Sequence, residues 1–412
     1  MRSSVRGSAR LLSGAGLAAA LLLPAAAAQA LPPSVPLAAD GPGQQLPGMP
    51  STLDPDTACT PASGEKAKKQ DWSRQRLDLD RLHRHGTGAG VTVALIDTGV
   101  VAGATGLDGR VTAQGAAGTD CVGHGTFLAG LIAGDGGSTP GLAGVAPRAR
   151  ILALRGTDER GRADANLVAD AVRDATRADA EVIAVAVALP RRDTGLTDAI
   201  ADARRAGAVV LAAATPDPPS RGSGDEIPAR TYWPAGEPGV LAVADMLPDG
   251  ARPDGSPRTD GIDLAAPGAG VVSGGPRGDG HYLGGGASVA TAYAAGAAAV
   301  VRAAHPGASP AAVTRRLTAT AYPADLPQLD PYAAVTAVLG DTTAAAADRA
   351  GSAPVSLRDT SAADRATGRA TLFVLLGTAA VLSVLWAAFA VPRARARGWR
   401  AAGAGAGEPE RG

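Results

Sequence analysis

Between residues 86 and 304 the apolar positions follow two rhythms. Val91–Ile96, Ile151–Leu154, Val182–Leu189 and Ala208–Ala214 are almost continuous apolar runs, the pattern of strands buried on both faces. Between them Ala163–Ala178 and Leu196–Ala206 carry apolar residues at helical spacing, and Val240–Ala244 and Gly270–Val272 are shorter strand candidates. Ser288–Ala304 predicts a long apolar helix, closed by His305-Pro306. Strands alternating with helices predict the α/β class: a mostly parallel central sheet covered by helices on both faces, in three layers. Ahead of this pattern, Leu77, Leu79 and Leu82 punctuate a charged stretch that predicts a short helix. Residues 31–71, rich in Pro, Gly and Asp, read as an extended N-terminal segment.

Two further apolar runs lie outside that rhythm. Arg2, Arg6 and Arg10 precede the run Leu11–Leu23, and small residues follow, ending Ala28-Gln29-Ala30. A basic region, an apolar region and an A-x-A site predict a signal peptide over 1–30. Thr371–Val391 is uncharged and shows no polar stripe. At about 1.5 Å per residue it is long enough for the roughly 30 Å hydrocarbon layer, which predicts one transmembrane helix over 371–391. Arg393, Arg395, Arg397 and Arg400 follow it, while Arg358, Arg365 and Arg369 precede it, so charge alone orients it weakly. With the signal peptide the expected topology is a single pass through the cell membrane. The folded domain at 72–339 and a stalk at 340–370 lie outside, and a tail at 392–412 lies in the cytoplasm.

Composition narrows the picture further. Of 412 residues 45% are hydrophobic but only 3% aromatic, so the core must be built from Ala, Val and Leu. The 39 basic and 39 acidic residues cancel, leaving no global field to recruit nucleic acid. Both cysteines, Cys59 and Cys121, fall in the part expected to be exported. There a lone pair favours a disulfide over a metal site, which needs more ligands; two free thiols are the alternative. Neither a metal nor a cofactor is expected.

Three polar residues are planted in the apolar pattern. Asp97 ends the first strand and opens Asp97-Thr-Gly99; His124 sits in Gly123-His-Gly-Thr126 before an apolar helix; Ser288 follows Gly284-Gly-Gly-Ala287 and opens the longest domain helix. A serine hydroxyl attacks only when an imidazole can take its proton, and the imidazole needs a carboxylate to hold its tautomer. At a helix N-terminus Ser288 also gains the positive end of the dipole, and its own N–H can face an oxyanion. The chain order Asp, His, Ser is one of those in which this constellation occurs. Each piece has a blander reading: Ser288 as an N-cap, or Asp-Thr-Gly, repeated at Asp193-Thr-Gly195, as an aspartic protease signature. The second copy follows the polar turn Pro190-Arg-Arg192, whereas a carboxylate dyad needs both groups buried together. Gly86-x-Gly-x-Gly90 precedes its strand and so does not form a phosphate loop. His83, His85, His281 and His305 are read as solvated or capping residues.

Taken together, Val-Ala-Leu-Ile-Asp97-Thr-Gly, Gly-His124-Gly-Thr-Phe-Leu-Ala-Gly and Gly-Ala-Ser288-Val-Ala-Thr-Ala-Tyr-Ala-Ala-Gly resemble the three motifs of the subtilisin-like serine proteases, and Gly144-Val-Ala-Pro147 resembles a structural turn of that family. The resemblance runs from about Trp72 to Val338. It implies a subtilisin-like fold and a triad of Asp97, His124 and Ser288. The layout, with Trp72-Ser-Arg-Gln-Arg-Leu77 and Tyr293, looks like the mycosins, membrane-anchored proteases of type VII secretion. That likeness implies an N-terminal extension fixed by a disulfide, a polypeptide substrate and a secretion complex as partner.

The chain departs from the family at several positions. Ala287 stands where the family has Thr, Ala292 where it has Pro, and Ala186 where a substrate-groove Ser is expected. The family's oxyanion-hole Asn follows a strand like Val209–Ala214, which here runs into Thr215-Pro216-Asp217; the single Asn of the chain is Asn166. The oxyanion hole is then expected to keep only the Ser288 backbone N–H, with Pro216 in the missing donor's place. Two functions follow: a serine endopeptidase cleaving exported polypeptides, slowed by the lost donor, or a degenerate protease fold that serves as a scaffold in a secretion complex.

Overall fold

The computed structural model describes residues 46–137, 139–218, 227–340 and 361–398. The predicted signal peptide and the predicted stalk lie outside the described residues, apart from the stalk's two ends. The tail expected to be cytoplasmic is described only at its start. The chain forms two compact units, meeting in sequence at Leu339 and Gly340.

The first unit is built on seven parallel strands: β1 (Thr92–Asp97), β2 (Val111–Ala113), β3 (Arg150–Arg155), β4 (Val182–Val185), β5 (Val209–Ala213), β6 (Leu241–Met246) and β7 (Leu264–Pro267). Their order is β2-β3-β1-β4-β5-β6-β7, which puts β1 inside the sheet between β3 and β4. Because successive side chains of a strand point to opposite faces, β1 feeds two cores. Val93 and Leu95 join one apolar cluster, and Ala94 and Ile96 join the other.

Helices cover both faces. On the Val93 side lie α1 (Trp72–Arg76), α2 (Leu79–Leu82), α3 (His124–Ala133), α6 (Ala287–Ala304), α7 (Pro310–Ala319) and α8 (Pro331–Thr336). On the Ile96 side lie α4 (Ala165–Arg177) and α5 (Thr194–Arg205), capped by the Asp164 and Asp193 side chains. This is the three-layer arrangement the apolar rhythm predicts. Fifteen of the 18 residues of α6 are buried, mostly alanines, so it can approach the sheet closely. The alanine-and-valine core expected from the low aromatic content is realised here.

Differences from the sequence reading are local. Val182–Leu189 is a strand only to Val185, and the chain then turns along the sheet's C-terminal edge. The predicted Gly270–Val272 strand is β8 (Val271–Gly274), which pairs with β9 (His281–Gly284); β2, β7 and β9 are too short to stand out by pattern. The Trp72–Leu77 stretch docks beside α6. Trp72 Nε1–H donates to Ala269 O at 2.8 Å, and Ser73 Oγ lies 2.6 Å from the Tyr293 hydroxyl, whose burial raises its pKa. Arg74 is 1% exposed and donates to Asp71 and to the carbonyls of Leu142, Ala143 and Val272.

Cys59 and Cys121 are joined in a disulfide, and among the described residues no thiol is free. Beyond this joint the N-terminal segment runs over the domain. Met49 N–H donates to Leu283 O at 2.7 Å, Leu283 N–H to Pro47 O at 2.8 Å, and Leu53 N–H to Arg160 O at 2.9 Å. The second unit contains α9 (Ser361–Ala396), within which Ala370–Ala396 holds an 18-residue stretch of mean hydropathy 2.3, long and apolar enough to cross a membrane.

Candidate active site

The C-terminal ends of parallel strands, beside the point where strand order diverges, form the crevice of an open α/β sheet. Here β1 delivers Asp97 to that edge, α3 begins with His124, and α6 has Ser288 in its first turn. The three are buried, at 2%, 5% and 0% exposure. His124 Nδ1 lies 2.9 Å from Asp97 Oδ1, and Ser288 Oγ lies 3.2 Å from His124 Nε2. Residues 97, 124 and 288 thus form one hydrogen-bonded chain.

Small residues make this approach possible. A Cβ on Gly125 would sit 2.1 Å from Gly99 O, so only glycine lets α3 rest on the Asp97-Thr-Gly loop. A carboxylate that the sequence reading did not single out ties the two together. Buried Asp120 accepts from Gly123 N–H at 2.6 Å, from Thr126 N–H at 2.9 Å and from the hydroxyls of Thr126 and Thr98. Thr98 Oγ1 in turn accepts from Gly125 N–H at 2.9 Å. Burial raises the Asp120 pKa against the pull of these donors.

The expectation for the oxyanion hole needs correction. It put Pro216 in the place of the missing asparagine and left the Ser288 N–H open. Instead Asp217, one residue on, turns its carboxylate onto the nucleophile. Asp217 Oδ1 accepts from Ser288 N–H at 3.0 Å, and Oδ2 accepts from the Ser288 hydroxyl at 2.6 Å. Oδ2 also lies 3.2 Å from His124 Nε2. The loop after β5 curls back, which brings the third residue past Ala214, not the second, over the start of α6. Gly286 makes the room, since a Cβ there would meet Asp217 Oδ1 at 2.0 Å.

His124 therefore stands between two carboxylates. Burial works against charge on its ring, but Asp97 and Asp217 outweigh it and hold the His124 pKa well above the ordinary value. Asn166 is exposed on α4 and supplies no donor here. Ala186 and Pro216 line a depression beside Asp97 and His124, with Thr52 of the N-terminal segment. On the other side a cleft of about 610 Å³ is bounded by Met49, Phe127, Leu283 and Gly286.

The other histidines are mixed. His305 caps the C-terminus of α6, and His85 is exposed against the Tyr332 ring, as expected. His83 and His281 are corrections. Partly buried His83 Nε2 lies 3.0 Å from Gly144 O, and buried His281 Nδ1 accepts from Ala67 N–H at 3.0 Å. Burial is the main cause that lowers both pKa values. No cluster of three or more potential metal ligands occurs among the described residues.

Comparison with known proteins agrees with this geometry. The sequence profile of the subtilase family matches residues 88–359. Mycosin-1 of Mycobacterium tuberculosis is 32% identical over 352 residues, covering 71% of this chain and 75% of that protein. Subtilisin E of Bacillus subtilis is 31% identical over 264 residues, covering 62% of this chain and 67% of that one. Among solved structures, the MycP3 protease from the type VII (ESX-3) secretion system superposes with a TM-score of 0.58 at 29% identity, covering 71% of this chain and 98% of that one. By motif, fold and kinship the chain belongs to the subtilase family and, within it, to the mycosins.

Proposed function

We propose that this protein is a membrane-anchored serine endopeptidase that cleaves exported polypeptides through an acyl-enzyme on Ser288. The observation that carries this reading is the hydrogen-bonded chain from Asp97 through His124 to Ser288 at the head of an open cleft. Asp97 holds the imidazole tautomer, and His124 takes the Ser288 proton as Oγ attacks the scissile carbonyl carbon. The tetrahedral intermediate collapses as His124 returns that proton to the leaving amine, and water then releases the acyl group. The type VII setting of the MycP3 relative supports a secretion complex as partner, and the apolar Ala370–Ala396 helix supports the anchor. No metal or cofactor enters this scheme.

Turnover is proposed to be slow, because no asparagine donor faces Ser288. In subtilisin, loss of that donor costs about 10²–10³ in kcat. The test is a fluorophosphonate probe applied to the full-length chain in detergent. The expected result is covalent labelling that Ser288→Ala abolishes; a folded wild-type chain that never labels refutes the endopeptidase.

One observation favours a second reading, a scaffold with the protease fold: an acidic side chain occupies the position where negative charge develops. Under that reading Ser288→Ala leaves secretion by intact cells unchanged, whereas deletion of the whole chain impairs it.

A further inference from the structure

Asp217 accepts two hydrogen bonds from Ser288 and stands 3.2 Å from His124 Nε2. If it stayed an anion it would repel the oxyanion that substrate attack creates beside the Ser288 N–H. Geometry offers it a proton directly. With Asp97 on one ring nitrogen and Asp217 at the other, the imidazole is flanked by two carboxylates, an arrangement that favours the imidazolium. An imidazolium cannot be a base, but one proton transfer across the Nε2 to Oδ2 contact yields a neutral imidazole and a carboxylic acid at once. No proton enters or leaves.

We propose that Asp217 is a further catalytic residue: it takes the Nε2 proton of His124 and, as a carboxylic acid, donates that proton as a hydrogen bond to the oxyanion. The inference rests on the endopeptidase reading. The substrate carbonyl oxygen displaces Asp217 from the Ser288 N–H and receives two donors, that N–H and the Asp217 O–H. As Ser288 Oγ bonds to the carbonyl carbon, its proton passes to the vacated Nε2 lone pair, and the carbonyl π pair moves onto oxygen. Collapse re-forms the carbonyl, breaks the C–N bond and sends the Nε2 proton to the amine. The Asp217 proton is never consumed.

The groups facing Asp217 allow this. From α3 comes His124, from α6 Ser288, and from β1 Asp97, beyond the ring. From β6 comes Asp245, itself 3.2 Å from Arg252 Nη2; its pKa is raised by burial first, with Asp217 adding to the rise. Among the described residues, no Lys or Arg pairs with Asp217 to hold it ionised.

The requirement leaves a mark on the pH profile. The productive state holds one proton between His124 Nε2 and Asp217 Oδ2, which stand 3.2 Å apart. Above the pH at which that proton leaves, the rate falls about tenfold per pH unit. Asp217→Asn supplies a permanent donor and needs only a neutral imidazole, so its rate climbs with pH to a plateau.

The experiment measures the rate of fluorophosphonate labelling of the full-length wild type and Asp217→Asn in detergent, from about pH 5 to 10, with near-UV circular dichroism at each pH to score the fold. The expected result is opposite alkaline limbs, with Asn faster by at least about tenfold on the alkaline side. A wild-type profile that climbs to an alkaline plateau overturns the inference, even if the variant does not fold. So does a wild type silent at every pH beside an active Asn variant, which would make Asp217 a block while leaving Ser288 a nucleophile. Two folded, silent chains overturn the endopeptidase reading itself.

Discussion

A histidine held between two buried carboxylates couples chemistry to stability. The His124 pKa is raised well above 6.5 in the folded state, where burial opposes charge but Asp97 and Asp217 prevail. The native state therefore binds this proton more tightly than the unfolded chain does. The stabilisation is full below the unfolded value of about 6.5 and is lost as pH rises through the folded one. The melting temperature of the wild type is expected to fall as pH rises above about 6.5, and to fall less in Asp217→Asn, which keeps only one flanking carboxylate. Parallel slopes in the two proteins would show that Asp217 does not favour the imidazolium. At this scale Asp97, His124 and Ser288 are legible because each stands near one end of an apolar run with a glycine within two residues. Asp217 was not: which of Thr215, Pro216 and Asp217 faces Ser288 depends on how a loop curls, and no periodicity records that. Asp120 carries no signal in the pattern, since its four donors, backbone and hydroxyl groups, converge on it only after folding.

Among the elements, the long strands and helices announced themselves through their periods, and the ones missed are those too short to have a period. β9 is the telling case, because its outer edge is paired with Pro47 and Met49 of a segment that reads as extended and loop-like. That segment gains its order from the domain, through backbone pairing and the Cys59–Cys121 joint. The joint closes a loop spanning 62 positions, worth about 4 kcal/mol if it acts by restricting the unfolded chain. Thr60 N–H donates to Cys121 O at 2.9 Å beside it, only a few residues before His124. Cys59→Ser is therefore expected to lower unfolding stability by about 2–4 kcal/mol in urea titration. It should also expose residues 46–60 to limited proteolysis. Unchanged cleavage there would mean that backbone pairing alone holds the segment.

For the molecule as a whole, the two apolar ends predict a single pass through the membrane with the folded domain outside. A tag after Gly412 should be protected from protease added to intact cells stripped of their wall, while an epitope within 46–339 should be cut; an accessible tag reverses the orientation. The order in which the fold can assemble is a separate matter, and it follows from α6. This helix packs against β4, β5, β6 and β7 as well as α3, yet it is almost the last part of the domain to emerge from the ribosome. None of those strands can bury its inner face until residues 287–304 are present, and parallel strands paired across long separations form slowly. The same helix carries Ser288. Installing the nucleophile and closing the core are one event, so a chain that lacks residues 287–304 has neither a finished fold nor a hydroxyl beside His124.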